Sequence, residues 1–356
     1  MKSSRGEVLF INGCCMEHPT RYRVLHQMEQ LEEAGISCAK VYFEDLELEM
    51  ETNYQRFIFY RCECTDEVAA FIERAKKHHK VVCFDIDDLV IDTKYTDLIP
   101  FVQELSAKSR RLFDHNVRMI GKTLTLCDVA TTTTETLAEE LGKVVSKTFI
   151  NRNTVSKEMI ACAEKAYHFR KRDSEKVWIG YFSGSLTHNK DFEVVRSALI
   201  RILKIYPNAG LLLVGELDTS DELNQFPGRV KKLETTDWRK LPELIVQADI
   251  NLAPLEDTLF NRAKSELKWL EASLVRVVTI ASKVGAFERM IEDGVTGVLC
   301  ENTEDEWYEK LTELFENSEK RELIAQNSYQ YVKEHCSTEK TCFMYAQITM
   351  DDYKEY

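Results

Sequence analysis

The stretch Asn261-Arg-Ala-Lys-Ser-Glu-Leu-Lys-Trp-Leu-Glu271 lies between two apolar runs, Ile250-Asn-Leu-Ala-Pro254 and Val275-Arg-Val-Val-Thr-Ile-Ala281. The two runs have the length and composition of buried strands, and the apolar spacing between them has the period of a helix. At about 100° per residue, one stripe of this helix is apolar and consists of Ala263, Leu267, Leu270 and Leu274. A strand, a helix and a second strand in this order indicate a parallel sheet.

The polar face of the same stretch predicts an anion site. Lys264, Lys268 and Glu271 fall together within an arc of roughly 60°. The two lysines lie near the start of the predicted helix, where free N–H groups and the helix macrodipole already attract anions. Lysines suit a diphosphate, and a carboxylate further along the helix suits the diol of a ribose. The stretch therefore predicts a pocket for a nucleotide diphosphate.

Length and composition narrow the class of protein. A chain of 356 residues exceeds one ordinary hydrophobic core, which predicts two domains. A hydrophobic content of 44% with 13 glycines and 6 prolines is typical of a chain that folds throughout. The formal net charge of -13 argues against nucleic acid as a partner, because a phosphate backbone demands a basic surface. A local basic pocket for a phosphorylated small molecule is compatible with this charge.

The eleven cysteines do not follow a disulfide or zinc pattern. Cys14-Cys15 and Cys62-Glu-Cys64 lack the Cys-x-x-Cys spacing, and no histidine spacing completes a zinc site. The first residues are charged and lack the apolar core of a signal peptide, and no apolar run reaches the length of a membrane span. We therefore expect reduced cysteines in a soluble, cytoplasmic protein.

Strand and helix patterns alternate in both halves of the chain. The first half contains strand-like runs such as Val8-Leu-Phe-Ile-Asn12 and Arg56-Phe-Ile-Phe-Tyr60, with helices between them. Two of the predicted helices cover about Phe101 to Leu124 and Glu135 to Leu141. A charged run, Arg170-Lys-Arg-Asp-Ser-Glu-Lys176, separates this half from a second alternation, which begins with the strand-like run Val177-Trp-Ile-Gly-Tyr-Phe182. The pattern predicts an α/β protein with two doubly wound domains, residues 1–170 and 176–337, and a tail, 338–356, that packs back on the first domain.

A polar turn follows the first strand of the second half, Tyr181-Phe-Ser-Gly-Ser-Leu-Thr-His-Asn-Lys190. Gly184 and Ser185 make a tight turn whose backbone N–H groups can face an anion, and Lys190 adds a mobile cation. The segment has neither the end of a Walker A loop nor the dinucleotide fingerprint, and alone it is equally typical of a plain turn. Ligands of open α/β sheets bind beyond the carboxyl ends of strands, which places this turn, the turn after Gly215 and loop 254–264 along one edge.

The order of motifs in the second half resembles a known family. The motifs are Phe182-Ser-Gly-Ser-x-Thr-His-x-Lys-Asp191, Leu213-Val-Gly215, Ala253-Pro-Leu-Glu-Asp257, Phe260-Asn-x-x-Lys-Ser-x-x-Lys-x-Leu-Glu271, Gly285-x-x-Glu288 and Asp293-Gly-x-Thr-Gly297. Together they resemble the C-terminal half of GT-B glycosyltransferases of the family 4, or "group 1", kind, near bacterial surface-polysaccharide enzymes. The resemblance covers about residues 177–335 well and the first half loosely. It implies the GT-B fold, in which two doubly wound, Rossmann-like domains face each other across a cleft.

The resemblance also implies site residues. The second domain would bind a nucleotide-diphosphate sugar, and a glycan or lipid-linked acceptor would face the first. In the family a Gly-Arg turn and a downstream Lys hold the diphosphate; here Ser185 stands at the Arg position, and Lys190 matches the Lys. The Glu-x7-Glu pair of the family falls on Ala263 and Glu271, so only the ribose-binding Glu is present and the identity of the sugar stays open. The implied diphosphate set is Gly184, Ser185, Lys190, Asn261, Lys264, Ser265 and Lys268.

Three hypotheses fit the segment Phe84-Asp85-Ile-Asp-Asp88, which follows a strand. Neighbouring carboxylates can hold a hard cation, as in the Asp-x-Asp of metal-dependent GT-A transferases, and they also cap turns. The segment resembles the opening motif of haloacid-dehalogenase-type phosphatases as well, with Asp85 as nucleophile and Asp87 as acid and base, although Leu89 departs from that motif. The third hypothesis assigns Asp87 and Asp88, together with His188, to the catalytic site of a glycosyl transfer.

Two basic features supply further candidates. Arg21 begins the first helix after the first strand, where it can meet phosphates of the acceptor or donor. A basic helix face is formed by Lys108, Arg110, Arg111, Arg118 and Lys122. Such a face is most often solvated; alternatively, it makes peripheral contact with anionic lipid or a lipid-linked acceptor at the inner face of a membrane.

We therefore predict a hexosyl- or deoxyhexosyltransferase that needs no metal and no other cofactor. Lysines and helix N–H groups would neutralise the charge of the departing diphosphate. Two alternatives stay open, namely the phosphatase built on Asp85 and Asp87 and a GT-B-like partner subunit without activity. The alanine at position 263 is the feature that keeps the partner subunit open as an alternative.

Overall fold

The computed structural model describes residues 7–171, 175–183, 189–215, 217 and 221–350, with the backbone alone at positions 189 and 221. The chain forms two compact units. Unit 1 comprises Met1–Ser156, Ala263–Ser265 and Ser337–Tyr356, and unit 2 comprises Lys157–Arg262 and Glu266–Cys336.

Unit 1 contains a six-stranded sheet in which every neighbouring pair of strands is parallel. Its strands are β1 (Val8–Asn12), β2 (Cys38–Tyr42), β3 (Arg56–Tyr60), β4 (Val81–Ile86), β5 (Val129–Thr132) and β6 (Thr148–Ile150), in the order β2-β1-β3-β4-β5-β6. The helices between them are α1 (Glu17–Thr20), α2 (His26–Glu33), α3 (Asp66–Lys77), α4 (Pro100–Gln103), α5 (Ala107–Leu126) and α6 (Glu135–Leu141). A π-helical turn, Arg21–Leu25, joins α1 to α2, and 3-10 turns span Phe43–Asp45, Leu48–Asn53 and Thr93–Leu98.

Local chemistry determines where several of these helices begin. The hydroxyl oxygens of Thr65, Ser106 and Thr134 accept hydrogen bonds from backbone N–H groups at 3.2, 3.2 and 3.3 Å, and so cap α3, α5 and α6. The Ser106 cap starts a new helix after α4. The single helix expected over about residues 101–124 is therefore two helices.

Unit 2 repeats the architecture. Its strands are β7 (Val177–Phe182), β8 (Ala209–Val214), β9 (Val230–Leu233), β10 (Ile250–Ala253), β11 (Val278–Ser282) and β12 (Val298–Cys300), in the parallel order β12-β11-β10-β7-β8-β9. Its helices are α7 (Lys157–His168), α8 (Asn189–Ile205), α9 (Leu241–Ile245), α10 (Leu259–Arg262), α11 (Leu267–Leu274), α12 (Ala286–Met290), α13 (Glu304–Glu316) and α14 (Ser318–His335), with a 3-10 turn at Asp221–Gln225. Apolar side chains from the strands and from α8, α13 and α14 form one core.

The last helix, α15 (Thr338–Met350), packs on α2 within unit 1. Gln30 Nε2 donates to Thr341 Oγ1 at 2.7 Å, and Arg56 Nη2 donates to the Met350 carbonyl oxygen at 2.7 Å. Tyr345 is fully buried, and its hydroxyl donates to Gln27 Oε1. The C-terminal helix is therefore part of the core of unit 1.

The division between the units differs from the expected boundary at residues 170–176. The structure divides at Ser156–Lys157, because α7 packs within unit 2. The Tyr329 hydroxyl donates to Glu164 at 2.9 Å. The Arg276 guanidinium lies 4.0 Å from the ring centroid of Tyr167 and 3.7 Å from that of Tyr329. These contacts hold α7 to the helices of unit 2, so the charged run after α7 is not the division.

Candidate functional site

The carboxyl ends of the strands of unit 2 form the edge on which the predicted donor site lies. The strand order reverses between β7 and β10, and open α/β sheets bind ligands at such a point. Gly215 has φ +98°, and a Cβ added there would collide with the Ser183 carbonyl oxygen. Gly285 has φ +57°, and an added Cβ would lie 2.6 Å from the Arg262 carbonyl oxygen. Glycine is required at both turns, because neighbouring backbone approaches closely at this edge.

A buried carboxylate organises loop 254–261. Asp191, in the first turn of α8, is 2% exposed. Its Oδ1 accepts from the Glu256 N–H at 3.1 Å and from Asn261 Nδ2 at 2.8 Å. Asn261 Nδ2 also donates to the Glu256 carbonyl oxygen at 2.9 Å. Asn261, predicted as a diphosphate ligand, thus holds the loop closed through its side-chain amide.

Removing this carboxylate should loosen the loop. In Asp191→Ala the Glu256 N–H and the Asn261 amide lose a buried acceptor. We expect the free energy of unfolding to fall by about 2–3 kcal/mol and amide exchange at Glu256 to accelerate. Urea denaturation and hydrogen exchange measure the two effects. Asp191→Asn, which keeps a side-chain oxygen, is the matched control and should cost less; equal loss in both variants would contradict the assignment.

Lys268 and Glu271 lie on α11, but the helix is shorter than predicted. It begins at Leu267, so Lys268 is in its first turn and Glu271 follows three residues later. Lys268 Nζ donates to the Phe182 carbonyl oxygen and lies 5.0 Å from the centroid of the Tyr181 ring. Its ammonium group is therefore held at the carboxyl end of β7, immediately before the polar turn. Glu271 is partly exposed.

The continuous helix expected over residues 261–271 is interrupted at Ala263–Ser265, a segment that belongs to unit 1. The Ala263 carbonyl oxygen accepts from Thr134 Oγ1 at 3.1 Å, and Ser265 Oγ accepts from Asn153 Nδ2 at 2.9 Å. These bonds replace helical ones and end α10. The prediction that Lys264, Lys268 and Glu271 share one helix face is therefore wrong, because Lys264 lies between α10 and α11.

The remaining predicted donor ligands are only partly described. Lys190, in the first turn of α8, is exposed, as a ligand for a bound anion requires. Gly184, Ser185 and His188 lie outside the described residues. Ala263, at the position of the missing family Glu, is fully buried.

Unit 1 has an edge of its own at the ends of β1, β3 and β4. The register aligns Asn12 with Tyr60 and Tyr60 with Asp85, so the residues that follow these strands are neighbours. Arg61 Nε donates to Asp87 Oδ1 at 2.7 Å, and its Nη2 pairs with Asp88. The Tyr60 hydroxyl donates to Asp87 Oδ1 at 3.0 Å. The predicted pair Asp87 and Asp88 is thus bridged by one arginine.

The backbone of this edge is under constraint. Arg61 has φ +45°, which a non-glycine residue rarely adopts. A Cβ added at Gly13 would lie 2.5 Å from the Arg61 carbonyl oxygen, so the ends of β1 and β3 approach as closely as glycine allows. Strain of this kind concentrates at functional sites.

Burial and neighbouring charges shift the pKa values of Asp87 and Arg61. Burial raises the pKa of Asp87 above its ordinary value, and the Arg61 guanidinium opposes that shift. The neighbouring Asp87, Tyr60 and Asp88 outweigh the effect of burial on Arg61, and raise its pKa. Asp87 is 12% exposed and Asp88 37%, so both carboxylates are accessible from solvent.

Asp85 has a different role. It is fully buried, and Arg23 contacts both of its oxygens, with Nε to Oδ1 at 2.9 Å and Nη2 to Oδ2 at 2.6 Å. Gln27 Nε2 and Thr131 Oγ1 donate to Oδ2 at 3.1 and 2.6 Å. A nucleophile needs an accessible lone pair, whereas both oxygens of this buried carboxylate accept hydrogen bonds from side chains of the core. The phosphatase alternative, which needs Asp85 as nucleophile, is therefore wrong.

Arg21, the predicted acceptor-side residue, is 2% exposed. Its Nη2 donates to the Tyr22 hydroxyl at 2.9 Å, and its guanidinium lies 4.5 Å from the Tyr22 ring centroid. The π-helical turn buries Arg21, Tyr22, Arg23 and Val24 in succession. This turn directs Arg21 into the protein, away from the open surface expected for an acceptor contact.

Two features are absent from the described part of the chain. No three His, Cys, Asp or Glu side chains converge there as metal ligands. None of the helices in those ranges combines the length and the hydrophobicity that a membrane span needs. The independence from metal remains a prediction.

Asp191 and Arg61 organise the two edges, and neither was predicted as a site residue. Asp191 ends the motif that runs from Phe182, but its partner Asn261 lies 70 positions away. Arg61 follows a strand directly, which was the available signal. Its partners Asp87 and Asp88 lie 26 and 27 positions away.

Comparison with known proteins supports the resemblance. Residues 179–317 match the family model described as Glycosyl transferases group 1. HepE from Anabaena, solved with UDP, superposes with a TM-score of 0.64 at 13% identity, over 95% of this chain and 98% of its own. Sucrose-phosphate synthase from Thermosynechococcus elongatus gives 0.62 at 13% identity, over 97% and 98%. WaaG, a glycosyltransferase involved in lipopolysaccharide biosynthesis, gives 0.60 at 13% identity, over 96% and 99%. No curated protein matches the chain in sequence.

The match and the structural neighbours agree with the observed architecture. The matched residues run from β7 through the end of α13, and so include the carboxyl edge of the unit 2 sheet. The neighbours, at 13% identity, establish the fold alone. The predicted fold class, GT-B with two doubly wound units, is confirmed, and so is the resemblance of the second half to group 1 glycosyltransferases.

Proposed function

We propose that this chain transfers a sugar from a nucleotide-diphosphate donor to a hydroxyl group of a glycan or lipid-linked acceptor. The observation that carries the proposal is the group 1 family match over residues 179–317, which includes the strand ends, Asp191, Lys268 and Glu271. Structures of HepE contain UDP and UDP-glucose, which supports a uridine nucleotide as the first to test. Unit 2 is the proposed donor-binding unit.

Lys268 is the residue best placed for the donor diphosphate. Its ammonium group is held at the end of β7 by a carbonyl oxygen. Lys268 lies in the first turn of α11, where the helix macrodipole favours negative charge. In glycosyl transfer, negative charge grows on the departing diphosphate, and fixed cations at that position lower the barrier. Lys190, exposed on the first turn of α8, is proposed as the second cation.

Unit 1 supplies the proposed acceptor-side carboxylates. The pKa of Asp87, raised by burial, makes this group a better proton acceptor than an ordinary aspartate. Arg61 holds Asp87 and Asp88 in fixed positions. We propose Asp87 as the group that receives the proton of the acceptor hydroxyl, with Arg61 as its positioning residue.

Calorimetric titration of the full chain with UDP, GDP and dTDP tests the donor site. We expect at least one nucleotide to bind, and Lys268→Met to weaken that binding about 10- to 100-fold, because a charge-assisted hydrogen bond is lost. Glu271→Gln should weaken it about tenfold, because the ribose diol loses a charged acceptor. Lys204→Met, at an exposed lysine in the last turn of α8 and so at the opposite end of that helix from Lys190, is the matched control. If no nucleotide binds, the donor pocket is refuted.

Turnover separates an enzyme from an inactive partner subunit. The nucleotide sugar that corresponds to the bound nucleotide is incubated with the chain, and release of free nucleotide is followed. We expect slow release by the wild type and less by Lys268→Met. Binding without any release, with or without acceptor glycans, would favour the partner subunit, for which Ala263 in place of glutamate is the supporting feature.

A further inference from the structure

Helix α5 carries an exposed basic arc on the surface of unit 1. We define the basic arc as Lys108, Arg111, Leu112, His115, Arg118 and Lys122, all of which are exposed. At about 100° per residue these positions fall within roughly 120° of the helix circumference. The arc extends about 21 Å along the axis at 1.5 Å per residue. It is therefore a long, narrow, cationic strip.

The opposite face of α5 fixes the orientation of the arc. Val117 and Leu124 are 2% and 1% exposed, and Val117 lies about 180° from Lys108 around the helix. A Cβ added at Gly121 would collide with the Ile91 carbonyl oxygen, so this side packs against the loop after β4. The arc consequently faces away from the core of unit 1.

The cations of the arc are not neutralised on their own helix. The one carboxylate of α5, Asp114, accepts two hydrogen bonds from Arg110, at 3.1 and 3.0 Å. Arg110 also pairs with Asp97 at 2.8 Å, so it does not contribute to the exposed strip. The arc itself contains no acidic residue, although the whole chain has a formal net charge of -13.

Leu112 distinguishes between possible anionic partners. Its side chain is 63% exposed at one border of the arc, between Arg111 and Arg118 along the helix axis. An apolar side chain gains free energy in the boundary between lipid headgroups and acyl chains, and gains little against a nucleic acid backbone. Cations that precede and follow an exposed leucine along one helix are the combination that a charged bilayer surface binds.

We propose that the basic arc of α5 docks unit 1 on a bilayer surface rich in anionic phospholipid. Charge complementarity selects the partner, because the rest of this acidic chain is repelled by such a surface. Leu112 adds an apolar contact below the headgroups, and the four lysine and arginine side chains contact lipid phosphates. The contact is peripheral and requires no nucleotide.

Vesicle sedimentation tests this proposal with the full chain. Vesicles of phosphatidylcholine with about 30 mol% phosphatidylglycerol are compared with pure phosphatidylcholine, at about 50 and about 500 mM NaCl. We expect binding to the anionic vesicles at low salt only. K108Q/R111Q/R118Q/K122Q should lower the partition coefficient by roughly two to three orders of magnitude, because each cation near the surface contributes about fivefold. Leu112→Ser should lower it about tenfold without changing the salt dependence.

The control replaces four exposed lysines outside α5, in K77Q/K147Q/K204Q/K240Q, and should bind as the wild type does. Thermal unfolding of both quadruple variants verifies that they fold. Equal binding to neutral vesicles, or wild-type binding by the arc variant, would overturn the proposal. So would binding of soluble heparin through the same four residues without vesicle binding, which would indicate a polyanion partner. No nucleotide is present in this assay, so its outcome is independent of the donor-site titration.

Discussion

Asp85→Asn is expected to lower the free energy of unfolding of unit 1 by about 3–5 kcal/mol, the cost of leaving a buried charge without its partner. Arg23 and Asp85 both have side chains that are 0% exposed, and their closest atoms are 2.6 Å apart. The Arg23 guanidinium also donates to the Asn151 carbonyl oxygen at 2.7 Å, which cannot replace the lost negative charge. The variant keeps the shape of the side chain, so the loss reports the charge.

Two spectroscopic signals assign the effect to one unit. All four tryptophans lie in unit 2, at positions 178, 238, 269 and 307, so tryptophan fluorescence follows that unit alone. Circular dichroism follows both units. In urea we expect the dichroism transition of unit 1 to move to lower concentration, with the fluorescence transition little changed.

Two further variants test whether the loss of stability in Asp85→Asn comes from an unpaired buried charge. Asp97→Asn, in a pair whose aspartate is 78% exposed, should cost less than about 1 kcal/mol. The double variant R23Q/D85N removes both charges, and should cost less than Asp85→Asn alone because no ion is left unpaired. An Asp85→Asn variant as stable as Asp97→Asn would show that the ion pair does not hold unit 1 together.

The second large effect is a loss of stability in acid that originates at His26. This side chain is 3% exposed, and its Nδ1 lies 2.8 Å from the Thr154 carbonyl oxygen. A carbonyl can only accept, so Nδ1 carries a hydrogen and donates it to Thr154. Burial lowers the pKa of His26 from 6.5 to about 3, against the opposing effect of the Thr154 hydrogen bond.

The direction of the pH dependence follows from this lowered pKa. Between its folded value near 3 and its ordinary value of 6.5, the unfolded chain binds a proton at His26 and the folded chain does not. The stability is fully present above about pH 6.5 and is lost as the pH falls, at up to about 1.4 kcal/mol per unit. The total is on the order of 4 kcal/mol by about pH 3.

Urea denaturation at intervals between about pH 7.5 and about pH 4.5 measures this effect before most carboxylates titrate. We expect the wild type to lose about 2–3 kcal/mol over that range. His26→Asn, whose amide can still donate to Thr154, should show a flatter dependence. His115→Asn, at an exposed histidine, should follow the wild type. A wild type of constant stability from about pH 6.5 to about pH 4.5 would contradict a buried neutral His26.

Local patterns in the sequence predicted much of the fold. The predicted strands at residues 56–60 and 177–182 and the helix at 135–141 have the observed bounds. Each is a short run whose apolar or capping residues act within a few positions. The strand Val298–Cys300 was missed, because three residues carry too little periodicity to be recognised. The strand expected from Val275 begins instead at Val278, since Arg276 takes φ +53° to stack its guanidinium on two tyrosines.

At the candidate site, too, local features were predicted from the sequence and features that depend on distant partners were not. The sequence by itself determined the two α/β halves, the edge of strand ends in the second half and the positions of Lys190, Lys268 and Glu271, because strand alternation and motif order are local properties. Only the tertiary structure decided that the stretch from Asn261 to Glu271 is interrupted, that Asp85 is a structural ion and that Asp191 and Arg61 organise the two edges. Those outcomes depend on partners 26 to 129 positions distant, which chain spacing does not reveal and packing brings within hydrogen-bonding distance.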